Sequence, residues 1–498
     1  MFCGIVLLME FLDRTRELAR LEALVARRAA GLVALWGRRR VGKTRLLNEW
    51  CRRHDGVYTV ADQSAEPVQR RYFAEAMSLK LPGFDDVEYR DWASLLRRLA
   101  SDAKAVDWHG PLVVDEFPYL VAVAPALPSV LQNWIDQEAA TGGLLVAIAG
   151  SSQRMMQGLV LDAAAPLYGR AVEAFSLAPL PAGWIGDALK LADPKDQVLS
   201  YAAWGGIPRY WELASPFGGA LDAAVDTLVL DPLGPLHDEP ARLLLEESPS
   251  ALSLRPLLDV IGNGSHRLSE IAGRLGWPAT SLSRPLSRLQ ALGLVCRDVP
   301  FGESEKATRR ALYRISDPFF RFWFRVIAPH RALLAGATSD VRLGLWAQAK
   351  NALAAQAWEE LCRAAAPQCA RMCLGDTGTN SGTGSNLKVC PSAPGGDTDD
   401  AWLPARRWWH GTAPEWDVIL CQTDRRHSVA GEVKWSERPF DDDELAALAG
   451  ALLARPLPPG VPGQVTRLLF VPETRSATTV TRHGVQVVTA ATVLACLR

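Results

Sequence analysis

Two hydrophobic rhythms alternate between residue 10 and about residue 180. Leu18, Leu21, Leu24 and Val25 recur at helical spacing, and Gly31-Leu-Val-Ala-Leu-Trp36 is a short apolar run. Leu46, Leu47 and Trp50 continue a second helical pattern; Val57–Val60, Leu112–Asp115 and Leu144–Ala149 are further apolar runs with helical stretches between them. Short, uniformly apolar strands alternating with helices predict a parallel sheet covered on both faces. From about 181 to 245 the pattern is helical, punctuated by Gly205-Gly-Ile-Pro208 and Pro216.

Past residue 250 the pattern changes. Leu252–Ile261 and Leu268–Gly276 read as helices, and the turn Trp277-Pro278 leads into a third with Leu282, Leu286, Leu289 and Leu292 inward, stopped by Gly293. Leu294–Val299 and Ala311–Ile315 then read as a two-stranded wing around the charged tip Glu303–Arg310. That order is a winged helix, although Pro285 predicts a kink in the third helix. An Ala-rich helix is expected over 345–366 and a polar, low-complexity loop over 374–400. Strands resume at Trp416–Cys421, Val429–Val433, Leu468–Val471 and Val485–Val488, and no repeat period is present.

Composition narrows the classes. A chain of 498 residues suits about three domains. Its 54 Lys and Arg against 55 Asp and Glu exclude a uniformly basic nucleic-acid coat and a polybasic membrane anchor. Residues 255–331 differ, with thirteen Lys and Arg against six Asp and Glu. Nine irregularly spaced cysteines are no secreted disulfide framework, so a reducing cytoplasm is expected. Met1–Met9 is apolar but lacks a basic leader and a cleavage site, and reads as neither signal peptide nor membrane span; Met9 is an alternative start. No later apolar run is long enough to span a membrane, so a soluble protein is expected. Cys362, Cys369, Cys373 and Cys390 contain no C-x₂-C pair, which argues against zinc. His410 and His427 read as surface residues.

The strongest local signal is Gly37-Arg-Arg-Arg-Val-Gly-Lys43-Thr44, which fits G-x-x-x-x-G-K-[ST] between an apolar strand and a helix. Gly37 and Gly42 let backbone N–H groups curl around phosphate oxygens, and the helix turns its positive dipole end to the same anion. Lys43 would neutralise the β- and γ-phosphates of ATP, and the Thr44 hydroxyl would ligate Mg²⁺. Arg40 and Arg45 flank this set and are counted with it; Arg38, Arg39 and Arg40 also read as a basic turn facing solvent or a partner. Leu112-Val-Val-Asp115-Glu116 supplies the companion element: Asp115 for the Mg²⁺ shell and Glu116 to polarise the attacking water.

Beyond these, Phe11-Leu-Asp-Arg14-Thr-Arg-Glu17-Leu, Ala149-Gly-Ser-Ser152, Pro166-Leu-Tyr-Gly-Arg170 and Gly205-Gly-Ile-Pro208 occur in one order with the phosphate motifs. The series resembles the prokaryotic archaeal-type ATPase family, a branch of the signalling ATPases related to AAA+ proteins, over residues 10 to about 240. The resemblance implies an adenine pocket near Phe11–Arg14 and a polar sensor at Ser151 and Ser152. It also implies a charge-stabilising role for Arg170 and a lid contact near Pro208. The residue types alone allow Arg170 to be one half of an ordinary ion pair instead.

Two further groups bear on partners. In the winged helix, Ser281, Arg284 and Arg288 would face a DNA groove, and Lys306, Arg309 and Arg310 would meet phosphates; the same basic face also suits an internal regulatory contact. Near the C-terminus, Glu359 precedes Glu415-Trp-Asp417 and then Glu432-Val-Lys434. Asp417 and Glu432 would supply hard oxygens to Mg²⁺, with the carbonyl of Val433 as a further donor. Lys434 shares a strand face with Glu432 and would orient or deprotonate water; Glu359 would complete the site. This order resembles the PD-(D/E)XK restriction-endonuclease fold, which accompanies some members of the same ATPase family.

The expected fold is therefore an α/β multidomain chain: a P-loop NTPase core with a parallel sheet at 10–180, a helical lid at 181–245, a winged helix at 246–335 and a restriction-endonuclease-like α/β domain at 340–498. The expected function is ATP-regulated, metal-dependent processing of nucleic acid, DNA before RNA, in a cytoplasmic protein able to self-associate through its ATPase domain. The alternative is an ATP-dependent signalling switch or transcription regulator whose last domain only binds.

Overall fold

A computed structural model describes residues 9–139, 142–247, 253–306, 308, 310–375, 401–476 and 484–498. Arg309, residues 1–8 and residues 376–400 of the polar segment lie outside these. By compactness the chain divides into two units, one formed by 10–180 with 207–209 and the other by 181–206 with 210–498.

In the first unit, among the described residues, β1 (Gly31–Trp36), β2 (Val57–Val60), β3 (Leu112–Asp115), β4 (Leu145–Gly150) and β5 (Ala171–Ser176) form one sheet in the order β2-β3-β4-β1-β5. Every neighbouring pair is parallel. All six residues of β1 and all six of β4 are buried, as expected for central strands with a helical layer on each face. On one face Leu32, Ala34 and Trp36 pack with Phe73, Leu95, Leu99, Phe117 and Trp134. Each large side chain fully buried there contributes about 1.5–3 kcal/mol. The edge strand β5 is the one that the apolar-run pattern overlooks, because its burial alternates residue by residue. Parallel pairing brings Trp36 beside Gly150 and Val60 beside Asp115, so the segments that follow β1, β3 and β4 meet at one end of the sheet.

The second unit opens with helices, among them Pro194–Trp204, Leu221–Val225 and Glu239–Glu247. Helices Arg255–Gly262, Leu268–Leu275 and Ser283–Ala291 follow, then the antiparallel pair β6 (Val295–Asp298) and β7 (Leu312–Ile315). The kink expected at Pro285 does not arise. A 3₁₀ turn, Ala279–Leu282, precedes the helix, which begins only at Ser283, so Pro285 falls in the first turn, where a missing N–H costs nothing.

The 37-residue helix Ser339–Gly375 leads into a second sheet: β8 (Arg406–Trp408), β9 (Trp416–Cys421), β10 (His427–Val433), β11 (Gln464–Phe470) and β12 (Val485–Val488), in the order β12-β11-β10-β9-β8. β8, β9 and β10 form an antiparallel meander, while β11 lies parallel to β10, and β12 parallel to β11. Both faces are covered. Trp358, Leu361, Cys362 and Ala365 of the long helix pack on Val418, Leu420, Val429 and Leu468. Leu445, Ala449 and Leu452 of helix Asp442–Ala454 pack on Ile419, Ala430 and Leu469 from the other side. An Asp441–Glu444 capping box starts that second helix.

One buried charge network joins the hairpin to the long helix. Glu360 accepts from Arg314 of β7 at 2.9 Å and from Arg321 at 2.6 Å, and Arg314 also pairs with Asp298 of β6. Among the described residues no helix is long and apolar enough to cross a membrane.

Candidate nucleotide site and a second carboxylate cluster

The loop between β1 and helix Lys43–Arg53 takes its shape from two glycines. A Cβ on Gly37 would stand 2.6 Å from the Leu177 carbonyl oxygen, because the chain leaving β5 hydrogen-bonds to Trp36 at that point. Gly42, at φ 96°, turns the chain into the helix, and Pro208 lies just beyond it. Lys43 is buried, and its ammonium points back into its own loop, donating to the carbonyls of Gly37 at 2.8 Å and Arg38 at 3.1 Å. Arg40, at positive φ, and Arg45, in the first helical turn, are half-buried at the loop's flanks.

Asp115 ends β3 fully buried. Its Oδ2 accepts from the Thr44 hydroxyl at 2.7 Å and from the Tyr58 hydroxyl at 2.8 Å. Tyr58, on β2, is a member that the motifs could not reveal, since a tyrosine in a strand carries no spacing signal. Burial, with Asp115 beside it, raises its pKa and keeps it a donor. Glu116 follows at φ 51°, and its carboxylate is held by the hydroxyl of Ser151 and, at 3.3 Å, by the Ser151 N–H. Phosphate loop, Thr44, Asp115, Glu116 and Ser151 are thus one constellation at the carboxyl ends of β1, β3 and β4.

Arg14 and Arg170 are placed differently. Arg14 is buried at φ 65°, and its guanidinium donates to the carbonyls of Val41 and Ala178 while pairing with Glu17 at 3.1 Å. These bonds tie the start of the first helix to the phosphate loop and to the exit of β5. Arg170 forms a forked ion pair with Asp136 at 3.0–3.1 Å, the simpler of its two readings.

The second unit gathers the other carboxylates. Gly431 pairs with Val418, which sets Glu432 next to Asp417 on adjacent strands. Asp417 accepts the Val433 N–H at 2.9 Å. Its pKa is pushed up to about 6, by burial first and by Glu359 and Glu432 after it, against the pull of that N–H. Asp417 therefore senses both other carboxylates. Lys434 reaches Glu432 at 2.6 Å, as their shared strand face requires. Arg455 also pairs with Glu432, and sequence spacing gave no sign of it across the intervening helix. Burial acts to raise the pKa of Glu432, but Arg455 and Lys434 outweigh it and hold the group below the ordinary range. Glu359 lies within 3.4 Å of Arg363, which also reaches the Asp417 carbonyl at 3.4 Å. Among the described residues no set of three or more His, Cys, Asp or Glu side chains has the arrangement of a metal site.

Ser281 donates to the Pro278 carbonyl at 2.7 Å, and Arg310 pairs with Glu303, while Arg284 and Lys306 are exposed.

Residues 11–210 match the family described as an ATPase domain predominantly from Archaea. An uncharacterized protein of Methanocaldococcus jannaschii is 28% identical over 334 residues, 66% of this chain and 72% of its own. The structure is similar to that of a Walker-type ATPase of Pyrococcus abyssi, with a TM-score of 0.51 at 19% identity, covering 64% of this chain and 96% of that one. With a parallel sheet in the order β2-β3-β4-β1-β5 and Lys43, Thr44, Asp115 and Glu116 at its carboxyl edge, residues 11–210 have a P-loop ATPase-like fold and match the archaeal-type ATPase domain.

Proposed function

We propose that the chain binds and hydrolyses ATP with Mg²⁺, and that this cycle governs a metal-dependent nuclease in residues 340–498, with 181–245 as lid and 246–335 as a winged helix. The observation that carries the first part is the 2.7 Å contact between Thr44 and Asp115, two hard oxygen donors beside a loop built for phosphate. These two would hold Mg²⁺, which supplies charge neutralisation on the phosphates. Lys43 binds the same oxygens as a point charge, and Glu116 takes the proton of the attacking water, oriented by Ser151. Arg170 and the Phe11–Arg14 turn would serve transition-state charge and adenine in a nucleotide-bound arrangement.

The nuclease reading is supported by the juxtaposition of Asp417, Glu432 and Lys434 at the β9–β10 pair with Glu359 on the long helix packed against it. The repulsion that Asp417 feels from Glu359 and Glu432 would be relieved by a divalent cation, and Asp417 and Glu432 would hold it, with the carbonyl of Val433 as a further donor. Bound there, Mg²⁺ would stabilise charge developing on a phosphodiester and acidify water. Lys434, held by Glu432, orients that water.

A second reading is favoured by one specific observation: both oxygens of Glu432 are engaged, by Lys434 and by Arg455. In it the last domain only binds, and the chain is an ATP-dependent switch. Plasmid, linear DNA, single-stranded DNA and RNA incubated with Mg²⁺ or Mn²⁺, with and without ATP, separate the two. Cleavage lost in Glu432→Ala supports the nuclease. No cleavage of any substrate, or equal cleavage by the variant, leaves the switch.

A further inference from the structure

A cavity of about 490 Å³ lies within the second unit, walled by β6, the hairpin tip and β8. That volume is within the range of about 300–1,000 Å³ usual for small-molecule sites. Its lining is charged rather than apolar: Arg297, Lys306, Arg363, Arg406 and Arg407, against Asp298 and Glu305. The two acids are already engaged, Asp298 with Arg314 and Glu305 with Arg406 at 2.5 Å. Arg297 donates to the backbone carbonyls of Glu305 and Thr308 and has no carboxylate partner among the described residues. Lys306 is exposed and has no carboxylate partner among the described residues.

At the cavity's inner wall stands Arg363, nine-tenths buried on the long helix one turn beyond Glu359. One of its terminal nitrogens makes the two long contacts to Glu359 and Asp417; the other, Nη2, is buried with no hydrogen-bond partner among the described residues. A buried guanidinium nitrogen left unpaired keeps its full desolvation cost unless something accepts from it. Arg314 and Arg407 crowd it with like charge. An anion with several acceptor oxygens satisfies both needs at once, and a phosphate matches a guanidinium fork best.

We propose that this cavity is a phosphate-binding site, taking the phosphate of a nucleotide or of a nucleic-acid strand, with Arg363 on the phosphate, Arg407 (which exposed Glu415 also engages at 3.2 Å) beside it and Lys306 at the mouth. The proposal rests on the preceding reading only for the class of ligand and does not require that anything be cut. Held by Arg363, such a phosphate would lie next to Asp417 and Glu359, which gives the site a use in presenting a strand to them.

The test is fluorescence anisotropy of the full chain with a labelled single-stranded oligonucleotide in EDTA, competed by unlabelled strand, a mononucleotide and inorganic phosphate. The wild type should bind at low salt. Lys306→Glu, an exposed change that leaves folding alone, and Arg407→Gln should each weaken binding at least tenfold and flatten its salt dependence by about one unit of log–log slope. Competition by the mononucleotide marks free nucleotide as the source of the phosphate; competition by the strand alone marks a strand. Binding of an ATP analogue at Lys43 should be unchanged in both variants. No binding at low salt, or variants that bind as the wild type does, overturns the proposal. In the wild type, absence of cleavage with binding intact counts against the nuclease reading and not against this site.

Discussion

At the scale of single residues, the firmest statements concern side chains whose chemistry has one outlet. Lys43→Ala removes the cation from a loop shaped around phosphate, and nucleotide affinity should fall by at least about a hundredfold in equilibrium binding. Glu116→Gln keeps the shape but not the base: binding should persist while hydrolysis slows by roughly two to four orders of magnitude. A variant that hydrolyses at the wild-type rate would remove Glu116 from the base role. A different side chain sets a pH dependence. Hydrogen bonds from Arg342 hold the Asp226 carboxyl below the usual carboxylate range, with Ser339 assisting against burial. A depressed carboxylate stabilises the fold above its unfolded pKa of about 3.9 and loses that contribution as pH falls further. Asp226→Asn should therefore cost about 1–2 kcal/mol near neutrality and almost nothing in strong acid, read by denaturant titration at several pH values. The phosphate residues were legible because a motif fixes type and spacing together. Tyr58, Arg455 and Arg363 were not, because each reaches its partner through the fold from a place with no local pattern.

At the scale of elements, strands buried on both faces announced themselves as apolar runs: β1, β3, β4 and β9 lie where hydrophobicity put them. The elements that escaped notice have weaker grammar. β5 alternates at a sheet edge, β8 is three residues long, and helix Asp442–Ala454 is alanine-rich with little contrast between its faces. Pro285 was misjudged because the helix start depends on a 3₁₀ turn that composition does not mark. The join between hairpin and long helix yields a prediction of its own. Glu360 serves Arg314 and Arg321, both largely buried, so Glu360→Ala leaves two cations without their shared anion. Removing one partner of such a buried pair costs about 3–5 kcal/mol, and the melting temperature should drop accordingly. A loss under about 1 kcal/mol would mean that water reaches these arginines freely.

At the scale of the molecule, two compact units predict two calorimetric transitions rather than one. A non-hydrolysable ATP analogue at about a hundred times its dissociation constant adds about 2.7 kcal/mol to whichever unit binds it. That unit's transition should rise by about 5–11 °C, and the rise should vanish in Lys43→Ala. The fold of the ATPase unit was readable in advance because motif, strand pattern and helix spacing agreed; the sheet of the second unit was readable in its strands but not in its pairing, which long-range contacts decide. The helix Ser339–Gly375 carries Glu359 and Glu360 in succession, and successive helical side chains leave the axis about 100° apart. One is keyed to the arginines of β7 and helix Pro318–Phe322, the other, through Arg363 one turn on, to the Asp417 carbonyl of β9. The helix is indexed like a camshaft with two lobes: its angle about its own axis is set twice, and turning it to suit either lobe would mistime the other.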